Sequence, residues 1–211
     1  MALEPSRHSS PPAQPSLGRP SRLGIFLLLL LAGQGCVSTQ PDKRNEFLLA
    51  FERGKEAGPD FDLAIAEYTE AIHLNSKDAV VYDRRGMAYE HKADYGKALA
   101  DYQEAVRLKP DYADGYNNLA WLLAVCPDPR FRNGAIAVKY AKKGCELTKW
   151  KNPAILDTLG AADAEVGDFD DAVKWEKQYM ASNPSNPTWD KGACQRLSLY
   201  EQKKPYHEEK P

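Results

Sequence analysis

Apolar residues recur along this chain at helical spacing, in segments separated by short runs that contain Pro, Gly or Asp. Apolar positions at i, i+3, i+4 and i+7 are typical of amphipathic helices that bury one face. Asp residues precede several segments, where a carboxylate can accept a hydrogen bond from an unpaired N–H group of the first turn. The pattern predicts helices over residues 43–57, 61–74, 79–92, 95–108 and 111–125. Consecutive helices are expected to form antiparallel pairs.

The predicted pairs repeat with a period of roughly 34 residues. The offsets of Ala98, Tyr102, Ala105 and Pro110 recur, with substitutions, in the segments that begin near residues 64, 137 and 172. A small residue precedes each of these segments on the partner helix, and the four are Gly54, Gly86, Ala120 and Gly160. Small residues allow two helices to approach closely at their crossing. A period of this length is typical of a solenoid, which offers an extended groove for binding.

One segment, residues 79–112, carries the whole pattern in a single copy. Its key residues are Tyr82, Gly86, Tyr89, Tyr95, Ala98, Tyr102, Ala105 and Pro110. This segment resembles the tetratricopeptide repeat (TPR) family, and the resemblance covers roughly residues 44–184. It implies an all-α, right-handed solenoid of about four helix-turn-helix hairpins. We assign these hairpins to residues 44–76, 77–110, 111–150 and 151–184.

The array is expected to end in a capping helix over residues 185–204, followed by a disordered tail over 205–211. Asn186-Pro187 resembles a helix start, because Asn can cap the first turn and Pro fits its first position. The buried face of this helix is predicted to comprise Trp189, Cys194, Leu197, Leu199 and Tyr200. Pro205 ends the helix, and we expect the last residues to be frayed.

The first 36 residues are predicted to be an export signal with a disordered basic start. The apolar run over residues 23–32 is too short to cross a bilayer of about 30 Å as a helix. Small residues and Cys36 follow it, and this order resembles a bacterial lipoprotein signal, in which the cysteine is lipidated. Residues 37–43 would then be a tether. The alternatives are an ordinary secretory signal with a chance cysteine, or an uncleaved anchor.

The other cysteines and the histidines give little sign of further chemistry. Cys126 and Cys145 are predicted at opposite ends of one hairpin, farther apart than a disulfide permits, and are interpreted as small buried residues. The four histidines are scattered, so neither a metal site nor a cofactor is expected. The turn over residues 126–134 is longer than the others and is either a tolerated insertion or a partner-contacting loop. Asp163, which replaces an aromatic residue of the pattern, is expected to be solvated at the edge of the array.

The TPR resemblance implies that the first helix of each pair lines a concave groove. Transferring the groove positions by register selects Asp83, Met87, Glu90, Asp114, Asn117, Asn118, Trp121, Asp157 and Glu165. This set is acidic and contains neither Lys nor Arg. It favours a basic or amphipathic segment of a protein partner, with Trp121 as an apolar anchor. The alternative is that Trp121 belongs to the core and the acidic residues are merely solvated.

These patterns favour a protein-binding function over an enzymatic one. The sequence contains no phosphate-binding glycine loop, nucleophile elbow or metalloprotease motif, so no catalytic residues are assigned. The net charge is −2, and no basic stripe indicates a nucleic acid partner. We expect an interaction scaffold that is exported, lipid-anchored in the bacterial envelope and facing the periplasm. The alternative is a soluble periplasmic or secreted TPR adaptor.

Replacing Cys36 should release the protein from membranes. The Cys36→Ala variant lacks the thiol that would carry the acyl chains, and each buried CH₂ of such a chain contributes about 0.8 kcal/mol to anchoring. Wild type should therefore enter the detergent phase of a phase-separation assay, and the variant should enter the aqueous phase. If both partition alike, the lipoprotein hypothesis is wrong. Mass measurement of the mature N-terminus provides an independent check.

Overall fold

The structure, a computed structural model, describes residues 42–182 and 191–209. In these two ranges all regular secondary structure is helical, which confirms the predicted all-α fold. The α-helices are α1 (Lys43–Glu56), α2 (Phe61–Leu74), α3 (Ala79–His91), α4 (Tyr95–Leu108), α5 (Ala113–Val125), α6 (Gly134–Leu147), α7 (Pro153–Glu165), α8 (Phe169–Ala181) and α9 (Lys191–Glu201). The predicted export signal, Cys36 and the predicted helix start at Asn186-Pro187 lie outside the described residues.

The second helix of every pair begins in the same way. A side-chain oxygen of the capping residue accepts a hydrogen bond from the backbone N–H three residues later. The capping residues are Asp60, Asp94, Asn133 and Asp168. Such caps satisfy an N–H group that has no partner within its own helix. This recurrence explains why the helix starts of the hairpins follow so directly from the sequence.

Within the first two pairs, a tyrosine ring covers a glycine of the preceding helix. A Cβ atom built on Gly86 would lie 2.8 Å from Cε1 of Tyr102 and 3.4 Å from the carbonyl oxygen of Ala98. A Cβ atom built on Gly54 would lie 2.5 Å from Cε1 of Tyr68. The two distances to tyrosine carbons, 2.8 Å and 2.5 Å, are shorter than carbon atoms normally pack. Only glycine therefore fits beneath each ring. Gly54 and Gly86 thus allow the close approach of two helices that the sequence predicts at these crossings.

The pairs stack into a solenoid with two rows of helices. Helix α5 contacts both α3 and α7, and α2, α4 and α6 each pack against the first helix of the following pair. The repeat register places the first helix of each pair on the concave side, so we call α1, α3, α5 and α7 the inner row. Helix α5 lies at the centre of the core, and its residues from Leu122 to Val125 are almost completely buried. None of the helices in the described ranges is both long and apolar enough to cross a membrane.

The long turn of the third pair folds back on the array. It contains a short 3-10 turn, Pro129–Phe131. The N–H of Asn133 donates to the carbonyl oxygen of Leu123 at 2.7 Å, and the ring of Phe131 lies 6.0 Å from that of Tyr95. The turn thereby directs Arg132 toward the inner face.

The capping helix and the tail differ from the predictions. The buried residues of α9 are Ala193, Arg196 and Tyr200, whereas Cys194 is exposed. Tyr200 is buried as predicted, Leu197 and Leu199 are partly buried, and Trp189 lies outside the described residues. The prediction is wrong at Cys194, and Arg196, which it left out, is buried in an ion pair with Asp157. The tail is not disordered over residues 205–209, which pack against the inner side of the array. By contrast, Cys126 and Cys145 are free and buried, as predicted.

Adding a methyl group at Gly86 should destabilise the second pair. The Gly86→Ala variant places a Cβ against the buried ring of Tyr102, and overpacking of this kind costs about 1–3 kcal/mol. Urea unfolding should show a lower midpoint than wild type. The matched control is Gly96→Ala at an exposed position of α4, where a Cβ would lie 3.7 Å from the Phe131 ring. This control should be neutral or slightly stabilising, since Ala favours helix over Gly; equal effects of the two substitutions would contradict the crossing.

Candidate functional site

The inner face of the array is the candidate site because it is the concave surface of the solenoid. Three regions can be distinguished along it. An open cleft separates α1 from α3, a central pocket lies between α3 and α5, and residues 205–209 cover the adjoining surface of α5 and α7. The regions differ in charge and in what fills them.

The open cleft has an apolar floor and a cationic rim. Its volume is about 550 Å³, and the second helix α2 closes it from below with Ala64 and Tyr68. The rim carries two cations, Lys55 on α1 and Arg84 on α3, and His91 of α3 also lines it. The expectation of a groove without Lys or Arg is wrong in this region. The register placed acidic positions of α3 on the groove, but it did not place these cations beside them.

Arg84 is the cation of the rim that is least engaged with other charges. Its side chain is exposed, and its Nη1 lies 3.5 Å from the sulfur of Met87, which is a weak acceptor. Among the described residues, no carboxylate forms an ion pair with it. Lys55, by contrast, pairs with Glu52 at 2.9 Å on the solvent side. A carboxylate entering the cleft would therefore find Arg84 available.

The central pocket is acidic. It has a volume of about 290 Å³ and is lined by Glu90, Trp121, Glu208 and Glu209, among others. The hydroxyl of Tyr102 donates to Oε2 of Glu90 at 2.6 Å. Burial raises the pKa of Glu90 to about 7, and the charge of Glu208 adds to the rise, whereas the hydrogen bond from Tyr102 opposes it. Glu90 therefore titrates near neutral pH.

Several predicted groove residues bind one another rather than facing solvent. Asp83 is 1% exposed and accepts hydrogen bonds from the hydroxyl of Tyr112 at 3.0 Å and from Nδ2 of Asn118 at 2.8 Å. Burial raises the pKa of Asp83, and the two hydrogen bonds oppose this shift. The hydroxyl of Thr158 donates to Oδ1 of Asn117 at 2.8 Å. These bonds join α3 to α5 and α5 to α7, so Asp83 does not present a free carboxylate to a partner.

The acidic residues of the fourth pair contact two arginines and a histidine that the sequence analysis missed. Oδ1 of Asp157 lies 2.9 Å from Nε of Arg196, which comes from α9. Glu165 lies 3.0 Å from Nε of Arg132 and 2.7 Å from Nε2 of His207. Of the predicted set, Asp114 remains exposed, whereas Met87 lines both the open cleft and the central pocket.

A buried acid draws Arg196 into this position. Glu176 is 0% exposed and occupies the register position of Tyr102, and Arg196 lies 3.4 Å from its Oε1. Burial raises the pKa of Glu176 well above its usual range, and the neighbouring charge of Asp157 adds to the rise. An acid in place of the repeat tyrosine was a visible signal in the sequence. It indicated that a cation would close this end of the array.

Asp163 is another buried acid, and its predicted solvation is wrong. It is 4% exposed, because α6 and α8 both pack beside this part of α7. Burial raises the pKa of Asp163 to about 6, although the positive charge of Lys142 opposes the shift. Burial raises the pKa of the Cys145 thiol to about 11, and the nearby charge of Asp163 adds to the rise. We assign both buried groups to the structure of the array.

The tail covers the groove through contacts with two inner helices. The ring of Tyr206 lies 6.5 Å from the ring of Trp121. Nε1 of Trp121 donates to Oε1 of Glu208 at 2.8 Å, and the N–H of Glu208 donates to the carbonyl oxygen of Val125 at 2.9 Å. Trp121 thus packs partly against the core and also binds through its indole N–H, so neither sequence interpretation of this residue was complete.

The fold and its groove define a helical-repeat solenoid, and comparisons with known proteins agree. A sequence model of the TPR repeat matches residues 92–124. Small glutamine-rich tetratricopeptide repeat-containing protein 2 of Saccharomyces cerevisiae is 27% identical over 139 residues, which is 65% of this chain and 36% of that protein. The chain therefore spans little more than a third of that relative's length.

Solved structures show the same fold. The crystal structure of MamA aligns with a TM-score of 0.60 at 16% identity, over 76% of this chain and 83% of that one. The structure of PilW, a widely conserved type IV pilus biogenesis factor, aligns with a TM-score of 0.58 at 22% identity, over 76% and 75%. These likenesses confirm the predicted helical solenoid, and the sequence match over residues 92–124 supports a TPR repeat there.

Replacing Glu90 by its neutral isostere should flatten the pH dependence of stability. Because the folded-state pKa of about 7 exceeds the ordinary value of 4.5, the folded protein binds this proton more tightly than the unfolded chain does. Stability contributed by Glu90 is complete below pH 4.5 and is lost as the pH rises through about 7, by up to about 3 kcal/mol.

The measurement is the urea unfolding free energy of Glu90→Gln and wild type at pH 5 and pH 8. The free energy of wild type should fall more between these two values than that of the variant. Glu70→Gln, which changes an exposed carboxylate on α2, is the matched control and should behave as wild type. Equal pH dependence in all three proteins would show that Glu90 is not buried as described.

Proposed function

We propose that this protein is a non-enzymatic interaction scaffold that binds an extended segment of a partner protein in the open cleft. A finer proposal is that it does so as a bacterial TPR lipoprotein, exported and held in the envelope by a lipidated Cys36. The binding part rests on the cleft, and the anchoring part rests on the sequence of the first 36 residues. The alternative to anchoring is a soluble periplasmic or secreted adaptor with the same cleft.

The single observation that supports binding is the combination of an apolar floor with an unmatched cation at the rim. Phe51, Phe61 and Val80 are partly exposed in the cleft and offer a surface for an apolar side chain. Arg84 offers a guanidinium group to a carboxylate. A guanidinium binds a carboxylate in a bidentate way, which adds direction to the contact. The partner segment therefore carries an apolar residue and a carboxylate, in place of the basic segment that the acidic register favoured.

The non-enzymatic part of the proposal is supported by how the polar groups of the inner face are engaged. Asp83 is bound by Tyr112 and Asn118, and Glu165 is matched by Arg132 and His207. Groups held in this way stiffen a binding surface and are poorly placed to exchange protons with a substrate. TPR arrays commonly present such surfaces to other proteins.

An envelope role is supported by the order of basic, apolar and small residues before Cys36, which resembles a lipoprotein signal. The fold is similar to that of PilW, a type IV pilus biogenesis factor. We therefore propose that this scaffold takes part in building an envelope assembly. The proposed location faces the periplasm, where residues 37–43 would separate the array from the membrane surface.

Reversing the two cations of the cleft should weaken peptide binding on the order of tenfold at low salt. Peptides are selected from a random display library on the wild-type protein, and their affinities are measured by fluorescence anisotropy. Selected peptides should carry an apolar residue and a carboxylate. Against Lys55→Glu with Arg84→Glu, their affinity should fall, and the difference should shrink as salt screens the charges.

The matched control is Lys77→Glu with Lys139→Glu, which makes the same change in net charge at exposed residues outside the cleft. This control should bind the selected peptides as wild type does. Binding that survives the cleft reversal, or that falls equally in the control, would show that the peptides use another surface.

A further inference from the structure

Residues 205–209 lie on the inner face in the manner of a bound peptide. The segment has no regular secondary structure. Tyr206 and Glu208 both contact α5, at Trp121 and Val125, whereas His207 between them lies 2.7 Å from Glu165 on α7. An extended ligand makes such alternating contacts when it lies along the boundary between two helices.

The path of the tail is set by the end of α9. The N–H of Lys204 donates to the carbonyl oxygen of Leu199 at 2.9 Å, and Lys203 has a φ of 57°. A left-handed residue at this place ends a helix and reverses the chain. Pro205 then keeps the next step extended, so the tail leaves α9 in the direction of the groove.

The surface beneath the tail supplies both backbone and side-chain recognition. The carbonyl of Val125 lies at the C-terminal end of α5, where helix carbonyls lack partners within the helix, and it accepts the N–H of Glu208 at 2.9 Å. The guanidinium of Arg196 lies 5.6 Å from the Trp121 ring and 5.8 Å from the Tyr206 ring, so it contributes to an aromatic and cationic seat. We call this surface, formed by Trp121, the Val125 carbonyl and Glu165, the tail site.

Repulsion between carboxylates works against the contacts that hold the tail. Glu208 and Glu209 enter the central pocket, where Glu90 already lies, and the charge of Glu208 helps to raise the pKa of Glu90. Three carboxylates around one pocket repel one another when they are ionised. A segment held by a few partly exposed contacts against this repulsion is one that another segment can replace.

We propose that the tail is an intramolecular pseudoligand and that the tail site is a second peptide-binding site of the protein. It accepts an extended segment of a partner that bears an aromatic residue and, two positions later, a carboxylate, as Tyr206 and Glu208 do. The tail must leave before such a segment binds. This inference goes beyond the open cleft and uses other residues, so each of the two sites can fail its test without the other.

The test measures a peptide in competition with the tail of the full chain. The probe is a fluorescein-labelled peptide with the sequence of residues 203–209. The tail-released protein carries Tyr206→Ser and Glu208→Ser, which remove the ring and the carboxylate that contact Trp121. A short tether gives the native tail an effective concentration on the order of millimolar. The tail-released protein should therefore bind the probe at least about tenfold more tightly than wild type.

Two controls assign the binding to the tail site. The probe carrying Tyr206→Ser and Glu208→Ser should not bind either protein. Adding Trp121→Phe to the tail-released protein keeps a ring but removes the indole N–H, and it should cancel most of the gain. Adding Lys55→Glu and Arg84→Glu to the tail-released protein should leave probe binding unchanged, which separates this result from the test of the open cleft.

A second measurement follows the indole N–H signal of Trp121 by NMR, assigned through Trp121→Phe. Releasing the tail should shift this signal, and adding the probe should return it toward its wild-type position. Thermal melting followed by circular dichroism establishes whether the released protein is folded. If that protein binds the probe no better than wild type, or if it loses its cooperative melt, the tail is a structural part of the cap and the proposal is wrong.

Discussion

The packing of a tyrosine ring over a glycine of the preceding helix is the contact on which the rest of this structure depends. It brings α1 close to α2 at Gly54 and α3 close to α4 at Gly86. The ring of Tyr102 fills the crossing of α3 and α4, and its hydroxyl donates a hydrogen bond to Oε2 of Glu90 at 2.6 Å. The same side chain therefore sets the spacing of a hairpin and orients an acidic residue of the groove. A change at the crossing would reach the groove through this one residue.

The far end of the array follows from one departure from that rule. In the fourth pair the tyrosine is replaced by Glu176, whose buried carboxyl cannot fill the crossing as a ring does. Arg196 of α9 matches it, and this guanidinium also lies 2.9 Å from Asp157 and faces the rings of Trp121 and Tyr206. An apolar cap on α8 would have left the buried carboxyl of Glu176 without a matching charge. The ionic cap additionally fixes the rotation of α9, and through it the direction in which the tail leaves.

Periodicity predicts contacts within a repeat well and contacts across the chain poorly. The helix ends and the glycines under Tyr68 and Tyr102 follow from the sequence, because the partners are separated by less than one period. Trp121 and Glu208 are 87 residues apart, and no repeat register relates them. The acidic groove was inferred from inner-helix positions alone, whereas the residues that contact its acids are Arg132 of the turn, Arg196 of the cap and His207 of the tail. For that reason the groove residues were located more accurately than their charge environment.

The groove is preorganised by the polar residues that it does not offer to a partner. Asp83 with Asn118, and Asn117 with Thr158, join successive inner helices through bonds of 2.8 Å. These bonds are buried or nearly so, and a buried polar group left without its partner would cost about 1–3 kcal/mol. The inner row therefore keeps its spacing by itself, without help from the tail. A rigid surface loses little conformational entropy when it binds. Such a surface can accept its own tail or an external segment without rebuilding the array.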